Sequence, residues 1–349
     1  MYKFDNDYSR GAHPAILKAL VENNDNTYVG YGLDEWCQIA KNDIHKLIDC
    51  PDAHIHFLVG GTQMNAVAME SMLHAFQSVI SADGGHIAVH ESGAIENTGH
   101  KVHVISSADG KITAQQVYDN ANYYIHNDLK EHMTQPRAVY ISFSTEFGTV
   151  YSKKELEDIR AVCDQFNLFL YIDGARMGYG LQSDDCDVTL ADITRLADAY
   201  YIGGTKCGAL MGEAFVTTHP MIQENFRNYM KMNGALLAKG WLLGLQFHTL
   251  LHGGDDCLYF KICRKADEYA KRIQKALDNI GAKPYITSQS NQLYYELSRK
   301  QVEALDGDFF FELDHWIDDD TALVRFCTSW STKEEEVDAL VDAIMNIGR

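Results

Sequence analysis

Basic residues are scarce in this chain: 30 Lys and Arg stand against 49 Asp and Glu, for a net charge of -19. Binding a phosphate backbone needs clustered cationic side chains, so this balance argues against a nucleic-acid partner. No run of about 18 apolar residues occurs, so the pattern of a membrane-crossing helix is missing. The opening Met1-Tyr-Lys-Phe-Asp-Asn-Asp holds no apolar signal core. The eight cysteines, at 37, 50, 163, 186, 207, 257, 263 and 327, form no C-x-x-C pair. They read as small buried residues of a reduced, cytoplasmic protein rather than a disulfide framework. Two ligand signatures are also missing. There is no G-x-x-x-x-G-K-[ST] loop, and the lack of G-x-G-x-x-G counts against NAD.

What is present is an ordinary globular composition, 46% hydrophobic and 23% charged over 349 residues, ample for a large domain and a smaller one. Apolar strand-like runs at 54–59, 78–82, 102–105, 138–143, 169–172, 199–202 and 214–217 alternate with helical patterns. Thr113 with Gln116, and Ser152 with Glu155, have capping-box spacing ahead of two of those helices. The rhythm predicts an α/β fold with a mostly parallel sheet flanked by helices. From Pro220 the chain turns helical, and a long helix over 255–280 leads to short strands at 292–297, 309–313 and 323–326 and a closing helix. This places an N-terminal segment and large domain in 1–252, and a linking helix with a small α+β domain in 253–349.

Two stretches carry the chemistry. Tyr171-Ile-Asp173-Gly-Ala-Arg176 and Tyr201-Ile-Gly-Gly-Thr205-Lys206 are apolar runs that stop at small residues and then present a charge. Open α/β sheets bind ligands at such strand ends. A lone Lys in a Gly turn is commonly a surface residue, and a lone Asp after a strand is commonly a helix cap. Together they equip a pyridoxal phosphate site, with an acid for the ring nitrogen and an amine for the carbonyl. Arg176, in the same confined turn, could fork onto a substrate carboxylate. Gly60-Gly61-Thr62 ends a strand and opens a helix, a phosphate cradle that is also a common turn. His86 and His90 have the spacing of a zinc pair, but their loop- and strand-like surroundings favour an imidazole lying on a pyridine ring, so no metal is expected. Arg325 reads either as a carboxylate clamp across a cleft or as an edge-strand partner of the acidic run 318–320.

These residues resemble the low-specificity L-threonine aldolase and β-eliminating lyase family of fold-type-I pyridoxal phosphate enzymes. The likeness runs over nearly the full length, from Phe4-Asp-Asn-Asp through Gly60-Gly-Thr, His86 and Glu91-Ser-Gly-Ala to Asp173-Gly-Ala-Arg176, Thr205-Lys206 and Arg325-Phe-Cys-Thr. Its specific part is Asp-Gly-Ala-Arg with a Lys 33 positions after the Asp. The resemblance implies a seven-stranded sheet in the large domain. It implies that Lys206 holds the cofactor as an imine, Asp173 meets the ring nitrogen and His86 stacks on the ring. Gly60, Gly61, Thr62 and Thr205 would belong to the cofactor site, with Gly61 and Thr62 at the phosphate. Arg176 and Arg325 would hold the substrate carboxylate.

The family's active sites lie at dimer interfaces, often in tetramers, so Tyr31 would complete a neighbour's site. There are departures. Asn6 stands where the family has Ser, and Ser144-Thr145-Glu146 replaces Asn-Thr-His. His132, one residue out of register, is the counterpart of a second catalytic His, and Lys239 stands near the place of an Arg. The implied reaction is cleavage of a β-hydroxy-α-amino acid, of the L-threonine, L-allo-threonine or phenylserine type, to glycine and an aldehyde. The alternatives are β-elimination from an aromatic amino acid and a binding protein that has lost the chemistry.

Overall fold

The computed structural model describes residues 1–347. Among these, seven strands form the main sheet in the order His54–Leu58, Glu213–Thr217, Ala199–Gly203, Phe169–Asp173, Gln135–Ser142, Gln77–Ala82, Lys101–Ile105. Glu213–Thr217 runs antiparallel to both neighbours, and the other neighbouring pairs are parallel. Strand alternation sorts the core into two layers. Tyr140, Tyr171 and Tyr201 point to the face covered by the helices Gly61–Met72 and Pro220–Met232. Ile141, Ile172 and Ile202 point to the opposite face, under the helices Glu35–Ile48, Lys153–Phe166 and Trp241–Leu251. With both faces covered, the central strands Phe169–Asp173 and Ala199–Gly203 are buried along their whole length, whereas the edge strands His54–Leu58 and Lys101–Ile105 alternate with polar residues.

The two expected capping boxes form at Thr113/Gln116 and Ser152/Glu155. Two more, Thr189/Asp192 and Ser298/Gln301, start the short helices Leu190–Leu196 and Arg299–Leu305, which periodicity alone did not reveal. The long helix spans Leu258–Asn279 and opens onto a four-stranded antiparallel sheet, ordered Glu312–Trp316, Thr321–Cys327, Gln292–Ser298, Lys283–Ile286. The strand expected over 309–313 is two strands. Phe309–Phe310 pairs with Tyr2–Lys3, and Glu312–Trp316 joins the small sheet. The N-terminus therefore docks on the C-terminal part, where Phe4 is fully buried with Val324, Phe326 and Leu340. The seven-stranded sheet is built from residues 54–217 and the four-stranded sheet from residues 283–327. No helix among the described residues is long and apolar enough to cross a membrane.

Candidate active site

Several strands end at one edge of the main sheet, and their last residues enclose a cavity of ≈ 350 Å³. Its lining includes Gly60, Gly61, Thr62, His86, Asp173, Arg176, Thr205 and Lys206. The turns after two adjacent strands are pressed together by glycine. A Cβ on Gly174 would lie 1.7 Å from the Tyr201 carbonyl oxygen, and one on Gly203 would lie 2.5 Å from the Gly174 and Ala175 carbonyl oxygens. Only hydrogen fits at either position, and this contact sets Asp173 beside the lysine turn.

Asp173 is 4% exposed and accepts four hydrogen bonds. The donors are the Asn65 amide (2.9 Å), the Tyr140 hydroxyl (2.7 Å), the Tyr201 hydroxyl and the Ala175 N–H (3.0 Å). Burial alone would raise its pKa, but the nearby His86 and these donors hold it below the usual carboxylate value. The tyrosines are themselves pushed well above their usual values by burial and by Asp173, so they stay protonated and donate. Tyr171 closes the shell by donating to Asn65. The result is an anion fixed in position at the sheet edge.

Lys206 is lowered first by burial and then by Arg176, against the opposing pull of Asp7, Asp173 and Glu213. Glu213, 3% exposed, also lines the cavity. Burial pushes it up to about 8, even with hydrogen bonds from the Thr205 hydroxyl and the Gly204 N–H. His86 is held by its Nδ1 to Glu91 at 2.7 Å, and Asn65 donates to the same Glu91 oxygen. Burial disfavours the imidazolium, yet Glu91 and Asp173 together raise its pKa. The helix Gly61–Met72 starts at the cavity with Gly60 as its cap and no side-chain acceptor on its first N–H groups. Those donors are available to an anion.

Several candidates are placed elsewhere or are engaged by the protein itself. Arg176 does not stand unpaired: its Nε and Nη2 fork onto Asp7 at 2.8 and 3.1 Å, and Asn291 also donates to Asp7. The charge of Arg176 therefore needs no ligand to balance it, and Asp7 is the partner that sequence reasoning missed. Arg325 lies on an interior strand of the small sheet, outside the cavity lining, and pairs with Glu312 rather than with 318–320. Asn6 bonds within its own loop and lines a separate cavity with Ser9 and Arg10, whereas Tyr8 reaches the cavity at the sheet edge. His132 is exposed on the turn Lys130–His132 and is not brought to the cavity. Tyr31 and Lys239 are exposed, and neither lines the cavity of its own chain.

The imidazole that does arrive is His90. It follows the single helical turn His86–Val89, lines the cavity, and its ring centroid lies 5.5 Å from that of His86. Burial, His86 and Arg325 hold its pKa below the usual histidine value. Glu146 lines the cavity too, accepting from the His86 N–H (2.9 Å) and the Ser142 hydroxyl (2.7 Å), and burial raises its pKa. The sequence held one signal for the Asp173 shell: the dipeptide Tyr-Ile recurs at 140, 171 and 201, near the ends of three strands. For Glu213 it held none.

The family model described as "Beta-eliminating lyase" matches residues 9–296. The chain belongs to the β-eliminating lyase family. Among relatives, a low-specificity L-threonine aldolase of Pseudomonas sp. (strain NCIMB 10558) is 30% identical over 342 residues, covering 96% of this chain and 94% of the relative. One from Pseudomonas aeruginosa is 28% identical, with the same coverage of each chain. A solved structure of Leishmania major threonine aldolase superposes with a TM-score of 0.96 at 40% identity, covering 100% of both chains. An aspartate aminotransferase mutant from Thermus thermophilus matches in fold alone, with a TM-score of 0.71 at 11% identity over 99% of this chain and 91% of its own. The β-eliminating lyases thus share their architecture with the fold-type-I pyridoxal phosphate enzymes. The donor set fits that cofactor. A fixed carboxylate, a desolvated amine, an imidazole and a free helix N-terminus surround one cavity, and a Cβ on Gly61 would come within 3.1 Å of the Tyr201 hydroxyl oxygen.

Proposed function

We propose that the protein is a pyridoxal phosphate-dependent carbon–carbon lyase of the threonine aldolase type, cleaving a β-hydroxy-α-amino acid to glycine and an aldehyde. The observation that carries the reading is Asp173 held ionised beside Lys206 in the cavity, in a chain that aligns end to end with threonine aldolases. Lys206 would anchor the cofactor covalently, Asp173 would face its ring nitrogen, His86 its ring face, and Gly61, Thr62 and Thr205 its phosphate. When bound, pyridoxal phosphate supplies an electron sink for the pair left at Cα when the Cα–Cβ bond breaks.

The chain's own groups manage the protons. His90, neutral at working pH because burial and its cationic neighbours disfavour the imidazolium, accepts the β-hydroxyl proton as the aldehyde forms. Lys206 Nζ returns a proton to Cα, giving glycine. Arg176 keeps Nη1 clear of Asp7, and that N–H group is available to the substrate carboxylate.

We further read the assembly as a homodimer or homotetramer. Val29, Tyr31 and Leu33 of the Gly-rich loop are 64, 44 and 65% exposed, and Leu210 and Met211 beside the lysine turn are 43 and 40% exposed. A second copy would cover these side chains. Eight free cysteines support a reducing, cytoplasmic setting.

The decisive experiment is the visible spectrum of the protein with pyridoxal phosphate, before and after glycine. We expect an absorption band that borohydride abolishes, with the label mapped to Lys206, and a new long-wavelength band on adding glycine. Asp173→Asn keeps the fold and loses about a hundredfold or more in aldol cleavage. Ammonia and a 2-keto acid as products, with no response to glycine, would move the assignment to β-elimination. No cofactor band at all would end both readings.

A further inference from the structure

Away from the cavity, the helix Trp241–Leu251 packs on the helix Glu35–Ile48. The two approach closely because Gly244 lies against Cys37, where an added Cβ would fall 2.4 Å from the backbone nitrogen. One turn beyond Gly244 is His248, and one turn beyond that is His252. Residues four apart share a helix face. Both imidazoles are directed at Asp43 on the facing helix. His248 Nδ1 is 2.6 Å from Asp43 Oδ2, and His252 Nδ1 is 3.9 Å from Oδ1. One ligand atom from each of the three residues falls within 4.8 Å of the others.

The Asp43 side chain is 9% exposed, and its ion-pair partners among the described residues are these two histidines, with no Lys or Arg. A carboxylate largely removed from water requires compensation. One hydrogen bond from His248 meets part of that need and leaves His252 pointing at the second oxygen without closing on it. A single ion between the three groups would satisfy both carboxylate and imidazoles. Two imidazoles and a carboxylate form a ligand set for Zn²⁺ or a similar transition ion rather than Mg²⁺ or Ca²⁺, and a fourth position stays open to water.

We propose that Asp43, His248 and His252 bind one divalent transition-metal ion that staples these two helices. None of the three lines the catalytic cavity. The staple has a target. The His248 ring lies 5.5 Å from Trp36, the Trp36 indole N–H donates to the Tyr28 hydroxyl at 3.0 Å, and the Tyr28 ring lies 4.8 Å from Trp241. The ion therefore sits at the base of the aromatic contacts that hold the Tyr28–Leu33 loop. Its role is structural.

The test is a Zn²⁺ titration of EDTA-treated holoenzyme by calorimetry, repeated with Co²⁺ by absorption. One ion per chain is expected, with a thermal midpoint about 4 °C higher at a hundredfold excess of Zn²⁺ over Kd. The His252 side chain is 71% exposed, so His252→Ala leaves the fold intact. It is expected to weaken binding at least tenfold and remove the thermal shift, with aldol cleavage unchanged. His248→Gln gives an independent check. The proposal is overturned if the parent takes up no ion, or if His252→Ala binds with parental stoichiometry and affinity, which would locate the ion elsewhere.

Discussion

A carboxyl group and an amine buried side by side can neutralise each other by ion pairing or by sharing a proton, and Glu213 beside Lys206 poses that choice. Glu213 rises from 4.5 to about 8 because burial outweighs the help of Thr205, Gly204 and Lys206. The sign follows from linkage. An acid whose folded pKa exceeds its unfolded one stabilises fully below pH 4.5, and that contribution is lost as pH rises through about 8. The span corresponds to about 5 kcal/mol as an order of magnitude. Glu213→Gln keeps the shape and removes the titration. The cofactor-free variant should therefore lose less stability than the parent between about pH 6 and pH 9, read as the urea midpoint against pH. Identical slopes would mean that Glu213 is already ionised and paired with Lys206. The neighbouring Asp173 shows the opposite balance, because His86 and four hydrogen-bond donors offset its burial. Three of those donors are side chains far away in sequence, from Asn65, Tyr140 and Tyr201. No local pattern around Asp173 could have named them.

At the scale of elements, the main-sheet strands and the longer helices were legible because each carries its own signal, whereas the short helix Leu190–Leu196 was missed despite its Thr189/Asp192 box. Apolar runs end at Gly or Asp, and Thr113/Gln116 and Ser152/Glu155 cap their helices. Legibility failed where an element exists through a distant partner. Phe309–Phe310 is a strand because Tyr2–Lys3 lies beside it, and the turn His86–Val89 brings His90 to the cavity from a stretch that reads as loop. The site divides the same way. Lys206, Asp173 and the Gly60–Thr62 turn announce themselves by sequence, whereas Asp7, Glu146 and His90 acquire meaning through contacts. The helix pair Glu35–Ile48 and Trp241–Leu251 offers a direct test of close approach. In an exposed helix Gly244→Ala would gain about 1 kcal/mol in propensity. Here its Cβ would meet the Cys37 backbone at 2.4 and 2.6 Å, and overpacking of this kind costs about 1–3 kcal/mol. A net loss of up to about 2 kcal/mol is expected in urea unfolding, while Gly11→Ala, with nothing within 4 Å, is nearly neutral. Equal stabilities would show that the helices have room to separate.

Over the whole molecule, the first eight residues act as a strap that ties the small sheet to the catalytic cavity. Phe4 exchanges backbone hydrogen bonds with Phe310 and Cys327 at 2.7 Å each, and Arg325 donates to the Asp5 carbonyl at 2.8 Å. Asp7 then joins Arg176 of the large domain to Asn291 of the small one, and Tyr8 enters the lining. Glu146 makes a second tie, its carbonyl accepting from Gln292 and Tyr294 across the same junction. The two sheets are thus held at the site itself, through the same Arg176 proposed to meet the substrate carboxylate. Burial works against both ions, yet their mutual attraction keeps Asp7 low and Arg176 raised. Breaking such a pair from one side strands a buried charge at a cost of about 3–5 kcal/mol, whereas replacing both ions with uncharged groups costs much less. Asp7→Ala should therefore unfold in distinctly less urea than the parent, and Asp7→Ala with Arg176→Met should recover part of the difference. Simple additivity of the two substitutions would refute the strap as a coupled unit. The double variant should regain stability without regaining aldol cleavage, because the guanidinium proposed to meet the substrate carboxylate is gone. That split between a recovered midpoint and a lost rate separates the structural role of the pair from its role in the reaction.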